Sequence, residues 1–355
     1  MYTAALIGCG KISLKHIEGF VNNASTLKLL SICDPIIERA AEKEKEYKKK
    51  IADADITIYT DYKKMLAEQK PDIVSITTDP GKHKAIALDC FNAGSHVVCE
   101  KPMALSIVAA DAMIASAKNN KRKLAVCFQS RFDPTMQKLR TAIESGRFGR
   151  LLHGMIQIRW NRSDAYYAEA SWRGTWEHDG GTLLNQCTHG IDMLQWMMGE
   201  DAVRVQAQTR RFMRPIEAED FGAAIVEFAS GAVGLIEGSA TVFPNNLNET
   251  LSIFGERGSA VIGGLAMNKI ETWRFADSPD NTEQDSPSAH LVGHTALFKD
   301  FVDAIETDRE PLISGESGKK ALEIILAIYK SQITGKAVDL PCNFSTTEMK
   351  GYFDQ

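Results

Sequence analysis

Along the first 125 residues, short runs of aliphatic and β-branched residues alternate with longer stretches whose apolar positions recur every three or four residues. Two periods in alternation are the signature of a parallel sheet with crossover helices. The pattern predicts strands at 4–7, 27–33, 58–60, 73–77, 96–99 and 124–128, with helices at 12–21, 36–48, 62–68, 83–92 and 107–118. Six strands fit a doubly wound nucleotide-binding fold.

After about residue 150 the rhythm changes. Strands at 151–160, 203–208, 221–228, 232–240, 249–254 and 259–262 follow one another through short turns, which predicts a largely antiparallel sheet. Ser230-Gly231 and Glu256-Arg257-Gly258 read as hairpin turns, and the helices of this half fall at 182–198, 295–305 and 318–334. Residues 277–288, rich in Ser, Pro, Asp and Asn, read as a mobile loop. The expected chain is therefore α/β. A Rossmann-type doubly wound parallel sheet occupies 1–125, and an α+β domain with a largely antiparallel open sheet occupies 126–355.

Composition narrows the class. A chain of 355 residues exceeds what one core usually serves, and 44% hydrophobic with 25% charged residues is ordinary globular usage. The net charge of −5 and the lone basic run Lys48-Lys49-Lys50, at the end of a Glu/Lys-rich helix, argue against nucleic acid. No apolar run approaches the roughly 18 residues of a membrane helix, and Met1-Tyr2-Thr3 leads straight into a strand, so a cytoplasmic protein without membrane partners is expected. Most of the seven cysteines (Cys9, Cys33, Cys90, Cys99, Cys127) sit in apolar segments without C-x-x-C spacing. They read as reduced, buried residues, and no metal site is expected.

Gly8-Cys9-Gly10-Lys11-Ile12-Ser13 closes the first strand and opens the first helix. The first glycine permits the turn, the second lets backbone approach a pyrophosphate, and Ser13 stands where a third small residue is usual. A bare G-x-G also fits an ordinary strand-to-helix turn. Asp34, ending the second strand, adds an acid that can take both ribose hydroxyls of NAD and would repel the extra phosphate of NADP. It equally fits the cap of the helix from residue 36.

Two further constellations carry chemistry. Glu100-Lys101-Pro102 follows the fifth strand at the carboxyl edge of the sheet, where a lysine can donate to a substrate hydroxyl or relay a proton. In the predicted helix 182–198, Leu184, Cys187, Ile191, Leu194 and Met198 form an apolar stripe, while Asn185, His189, Asp192 and Trp196 share another face. His189 titrates near neutrality, which suits removal of an alcohol proton while hydride leaves the same carbon.

Taken in order, Gly8-x-Gly10 with Asp34, Glu100-Lys101-Pro102, Gln129-x-Arg131 and Asn185-x-x-x-His189 resemble the Gfo/Idh/MocA family of sugar and cyclitol dehydrogenases over nearly the whole chain. The resemblance implies catalytic roles for Lys101, His189 and Asn185. It implies NAD contacts from Gly8, Gly10, Lys11, Ile12, Asp34, Thr77, His83, Glu100, Lys101, Gln129, Trp172 and Arg173. Many relatives have aspartate where this chain has Asn185. The segments Trp172-Arg173-Gly174-Thr175-Trp176-Glu177, Asp179-Gly180-Gly181, Ile216-Glu217-Ala218-Glu219-Asp220 and Phe243-Pro244-Asn245-Asn246-Leu247 look like the branch that oxidises C3 of UDP-N-acetylglucosaminuronic acid for bacterial surface polysaccharides.

In that reading Arg131, Arg162 and Arg173 meet phosphates or a carboxylate, and Tyr166, Tyr167 and Trp172 stack on sugar, uracil or nicotinamide. Substrate contacts are thus expected from Lys101, Arg131, Arg162, Tyr167, Asn185 and His189. The branch also implies a homotetramer built across the second sheet, and 2-oxoglutarate as a hydride acceptor. Rival readings are an inositol or free-aldose dehydrogenase of the same family, and a non-catalytic NAD-binding redox sensor. Lys101 and His189 together argue against the sensor.

Overall fold

In the computed structural model, which describes residues 1–278 and 293–354, the chain begins with alternating strands and helices. These are β1 (Tyr2–Ile7), α1 (Ser13–Asn22), β2 (Leu27–Cys33), α2 (Ile37–Lys48), β3 (Thr57–Tyr59), α3 (Tyr62–Gln69), β4 (Ile73–Ile76), α4 (Pro80–Asn92), β5 (His96–Cys99), α5 (Ile107–Asn119) and β6 (Leu124–Val126). Next come α6 (Pro134–Glu144), β7 (Leu151–Arg159), α7 (Asp164–Ala168), α8 (Thr182–Asn185), α9 (Thr188–Met198), β8 (Ala202–Arg210), β9 (Phe221–Phe228), β10 (Val233–Ser239), β11 (Asn248–Gly255), β12 (Gly258–Gly263) and β13 (Lys269–Phe275). Helices α10 (His294–Glu306) and α11 (Gly315–Thr334) and the short strand β14 (Val338–Asp339) complete the chain.

Two compact units result. The first comprises residues 1–104, 108–129 and, among the described residues, 293–318; the second holds 105–107, 130–278 and 319–354. In the first unit six strands run in the order β3-β2-β1-β4-β5-β6, every pair parallel. Helices cover both faces of such a sheet, so its strands read as continuous apolar runs. Ala4, Ala5, Leu6, Val74, Val97 and Val98 are accordingly all fully buried.

Periodicity finds α10 but assigns it to the second half of the chain, whereas its packing lies with the first unit. The cause is a shape match invisible in either segment alone. Gly19 on α1 leaves a slot in which a Cβ would stand 2.5 Å from Phe298 of α10. Phe298 meets Phe20 at 4.7 Å between ring centres, and Asn22 and Asn23 donate to the Thr295 hydroxyl and carbonyl, each at 3.0 Å.

In the second unit eight strands are ordered β13-β12-β11-β7-β10-β9-β8-β14. The sheet is antiparallel except for the parallel pair β7–β10. The hairpin turns at 230–231 and 256–258 form as expected. Sequence reading misses β13, β14, α6 and α7, and the loop expected at 277–288 lies, after Ser278, outside the described residues.

The expected helix 182–198 is broken. α8 ends at Asn185, and the amides of Gln186 and Cys187 both donate to the Thr182 carbonyl at 2.9 Å before α9 starts. Close packing explains the break, because Leu183 and Cys187 press onto Gly222 and Gly238. A Cβ on these glycines would lie 2.5 Å from Leu183 and 2.7 Å from Cys187 respectively. Beyond the break α9 runs antiparallel along β7: Gly190 lies over Ile156 and Ile158, and Leu194 and Met198 lie over Gly154.

All seven cysteines are free and buried. Among the described residues no helix is long and apolar enough to cross a membrane.

Candidate active site

The first unit supplies the nucleotide half. Gly8 has φ +94, and a Cβ there would lie 2.8 Å from the Thr77 and Thr78 backbone, so only glycine fits. At exposed Gly10 the same construction meets nothing within 4 Å, leaving open the space through which backbone can approach a pyrophosphate. Ser13, fully buried, donates to the Gly10 carbonyl at 2.6 Å and so does the packing of the usual small residue. Lys11 and Ile12 are exposed beside it. Asp34 is held by backbone on both sides. One carboxylate oxygen accepts from the Cys9 amide at 2.8 Å, the other from the Ile36 amide at 2.9 Å, so the acid is locked against the glycine turn. An open cradle beside an oriented acid fits NAD.

Three residues expected to touch the cofactor are instead engaged by protein. Thr77 donates to the Gly8 carbonyl at 2.5 Å and thus braces the turn. His83 is fully buried, with its ring nitrogens 3.0 and 3.1 Å from the Pro102 and Thr78 carbonyls, and burial holds its pKa below the ordinary value. Glu100 is also buried: one oxygen accepts from His16 and His294, the other from the Lys101 amide. Each of these polar groups satisfies backbone or side chains of the first unit. Lys101 and Gln129 are half-buried, and the Gln129 side-chain oxygen has no partner among the described residues.

The second unit gathers the motifs singled out by sequence. Gly174, φ +68, lies against Ile216, where a Cβ would come within 2.6 Å, and its carbonyl accepts from Ala218 at 2.9 Å. Trp176 donates its amide to Glu217 at 2.9 Å, so the 172–177 and 216–219 segments fold as one piece. Trp176 itself is core, stacked among Tyr329 and Phe353. Arg173 donates to the Tyr166 hydroxyl at 2.6 Å and lies over the Tyr166 and Trp172 rings, and the same hydroxyl accepts from Gln186 at 3.1 Å. Arg162 lies over Trp160 and donates to the Asn161 carbonyl. Tyr167 is buried, and its hydroxyl has no partner among the described residues.

Asp179 links that turn to α8, accepting from the Gly174 amide at 2.7 Å and from the Asn185 side chain. From Asp179 to Gln195 every residue is buried except Asn185 and His189. Beneath them is Glu219, fully buried, which accepts from the Leu183 amide at 2.8 Å and the Tyr329 hydroxyl at 3.0 Å. Burial pushes its carboxyl up to about 8. Gly181 permits this approach, since a Cβ there would overlap the Glu219 carboxylate.

Arg131 departs from its expected substrate role. Its guanidinium is 1% exposed and grips Asp192 through two bonds of 2.8 and 2.6 Å. The two charges answer each other, with Trp196 against the guanidinium. The sequence also gave no warning of His16 and His294, whose importance depends on contacts 84 and 194 residues away.

Comparison with known proteins agrees with this geometry. Residues 2–128 match the oxidoreductase family, NAD-binding Rossmann fold, and residues 136–261 match the GFO/IDH/MocA C-terminal domain. The WlbA dehydrogenase from Bordetella pertussis, solved with NADH and UDP-GlcNAcA, has a TM-score of 0.88 and 33% identity, covering 96% of this chain and 99% of that one. The WlbA dehydrogenase from Chromobacterium violaceum, solved with the same two ligands, gives 0.87 and 34%, covering 97% of each. Myo-inositol 2-dehydrogenase of Thermotoga maritima is 27% identical over 94% of this chain and 97% of its own length. The chain belongs to the Gfo/Idh/MocA family and is an NAD-dependent sugar dehydrogenase acting on CH–OH groups.

Proposed function

We propose that this chain oxidises the C3 hydroxyl of UDP-N-acetylglucosaminuronic acid, or a similar nucleotide sugar, to a ketone during synthesis of a surface polysaccharide. The observation that carries the reading is the folding of residues 172–177, 179–181 and 216–219 into one support for Asn185, next to His189, the two accessible residues of an otherwise buried segment. It is supported by the two WlbA structures, whose ligands are NADH and UDP-GlcNAcA.

Bound NAD supplies the acceptor for the hydride. His189 accepts the hydroxyl proton, Lys101 polarises that oxygen, and Asn185, oriented by Asp179, directs its amide to a sugar hydroxyl. Arg162 and Arg173, with guanidinium planes stacked on aromatic rings, offer forks for phosphate or carboxylate. In this reading residues 1–125 bind the cofactor, and 126–355 bind the sugar and assemble a homotetramer. Ile225, 54% exposed, and Leu235, 37% exposed, on the sheet of the second unit favour the assembly. 2-Oxoglutarate serves as the second hydride acceptor.

The match to myo-inositol 2-dehydrogenase favours one rival, an inositol or free-aldose substrate. The purified chain is incubated with UDP-N-acetylglucosaminuronic acid, UDP-N-acetylglucosamine and myo-inositol while reduced cofactor is followed by absorbance. 2-Oxoglutarate is then added and the sugar product analysed. Turnover of the uronate is expected; turnover of inositol alone overturns the reading. Wild-type activity in Lys101→Met or His189→Ala overturns the mechanism.

A further inference from the structure

We propose that His16 and His294 are positioning residues, which hold the Glu100 carboxylate so that it anchors the main chain of Lys101. The inference rests on the reading that Lys101 acts on the substrate. It starts from a buried network within the first unit. The Glu100 Oε1 atom is 2.9 Å from His16 Nε2 and 3.0 Å from His294 Nε2, while Oε2 accepts from the Lys101 amide at 3.0 Å. His16 is fully buried and the imidazoles touch, 4.6 Å between ring centres.

The bonding pattern dictates protonation. A carboxylate has no proton to share, so both imidazoles donate through Nε2–H. His16 then carries a lone pair on Nδ1, and the Ser75 hydroxyl, 2.5 Å away, donates to it. Burial keeps His16 neutral by lowering its pKa. Burial alone would raise the Glu100 carboxyl, but the bonds from His16 and His294 outweigh it and hold the group well below the ordinary carboxylate range. The other titratable groups facing Glu100 are the thiols of Cys99 and Cys127, both pushed up by burial, and the neutral His83. With Lys101 next in sequence, the network is one fixed negative charge whose two oxygens have different tasks: Oε1 is clamped by the histidines, and Oε2 is thereby aimed at the Lys101 amide.

The four groups His16, Glu100, Cys127 and His294 also lie close enough to one another to hold a metal ion. The short Nε2–Oε1 bonds and the Ser75 donation favour a proton network instead. His294 is the first residue of α10, so the anchor of the catalytic lysine is supplied by a helix close to 200 residues further on.

The test uses the full chain and the variants His294→Phe, which removes the donor, and His294→Gln, which retains an N–H near the same place. Hydrogen exchange of the peptide carrying Lys101 reads the anchor without any substrate. Exchange at least about tenfold faster in His294→Phe, with His294→Gln close to the parent, is expected. For the parent's sugar substrate, kcat of His294→Phe should fall about 10- to 100-fold with KM nearly unchanged. The acid limb of its pH profile should move to higher pH, because Glu100 loses a bond that favours its ionised form. Unchanged exchange, or an unchanged pH profile, overturns the proposal. Nitrogen-15 spectra of the histidine rings decide it independently. His16 should remain the neutral Nε2–H form well below pH 6.5, and ring shifts of metal ligation with one equivalent of zinc overturn the network. Wild-type turnover in Lys101→Met would sink the functional reading, and the positioning claim with it, while leaving the exchange result intact.

Discussion

The two units bury ionisable groups in opposite ways. In the first, burial lowers His16, His83 and, to about 4, His96, while Glu100, bonded to His16, stays charged. In the second, burial raises carboxyls, Glu219 to about 8 and Glu249 to about 7, and Asp192 is raised even against the opposing Arg131. Donors make the difference. At Glu100 the bonds from His16 and His294 outweigh burial, whereas at Glu219 burial outweighs the bonds from Leu183 and Tyr329, and one carboxyl oxygen has no partner among the described residues. A buried carboxylate stays ionised only where the bonds and charges that favour its anion outweigh the lack of solvent, which alone drives it toward the acid.

Proton linkage turns the contrast into opposite pH responses. Histidines lowered on folding leave the native first unit with fewer protons than its unfolded chain, so its stability falls as pH drops below about 6.5. The depressed Glu100 acts in the same direction, its contribution being lost as pH falls through its folded value. Raised carboxyls behave conversely: their contribution is complete below the ordinary carboxylate value and is lost as pH rises through about 7 for Glu249 and about 8 for Glu219.

The largest expected effect would break the contrast at the fully buried Arg131–Asp192 pair of the second unit. Arg131→Met leaves Asp192 buried without compensation and should destabilise by about 3–5 kcal/mol in denaturant unfolding, with much of the loss recovered by Asp192→Leu in the same chain. Gly181→Ala comes next, at about 3 kcal/mol in the same measurement, because the added methyl falls on the Glu219 carboxyl. Hydrogen exchange at pH 5 and pH 7 then compares the units directly. Protection of β4, β5 and α10 should weaken at pH 5, by up to about 1.4 kcal/mol per pH unit for each titrating group, while β9 and α8 hold or gain. Equal weakening in both would discard the comparison. Smallest is Glu219→Gln, which should lie within about 1 kcal/mol of the parent near pH 4, where the group is neutral folded and largely neutral unfolded, and exceed it in stability at pH 9.

Much of this was legible in the chain. All six strands of the parallel sheet and six of the eight in the mixed sheet follow from local periodicity, because each buries a face whose spacing shows in a few residues. Gly8, Gly10 and Asp34 were legible for a similar reason: the turn chemistry is local. Failures came where meaning depends on a distant partner. The apolar stripe of residues 183–198 continues through the break at 186–187, and only Gly222 and Gly238, on other strands, show why the helix must yield. Arg131 looked like a ligand residue because nothing near it in the chain shows its partner, Asp192, which stands 61 positions later. Glu100 and His83 were expected to touch the cofactor from the family resemblance alone; the donors and acceptors that engage them arrive from α1, α10 and the Pro102 carbonyl, which no local pattern shows.

The slot at Gly19 has a consequence for synthesis. Phe298, which fills it, is made only after seven of the eight strands of the second sheet have been translated. A ribosome releasing this chain from its amino end therefore presents a nucleotide-binding unit that lacks a wall helix until nearly 300 residues have emerged. The usual order, in which the first domain finishes before the second begins, does not hold here, because most of the second unit is made before the last helix of the first.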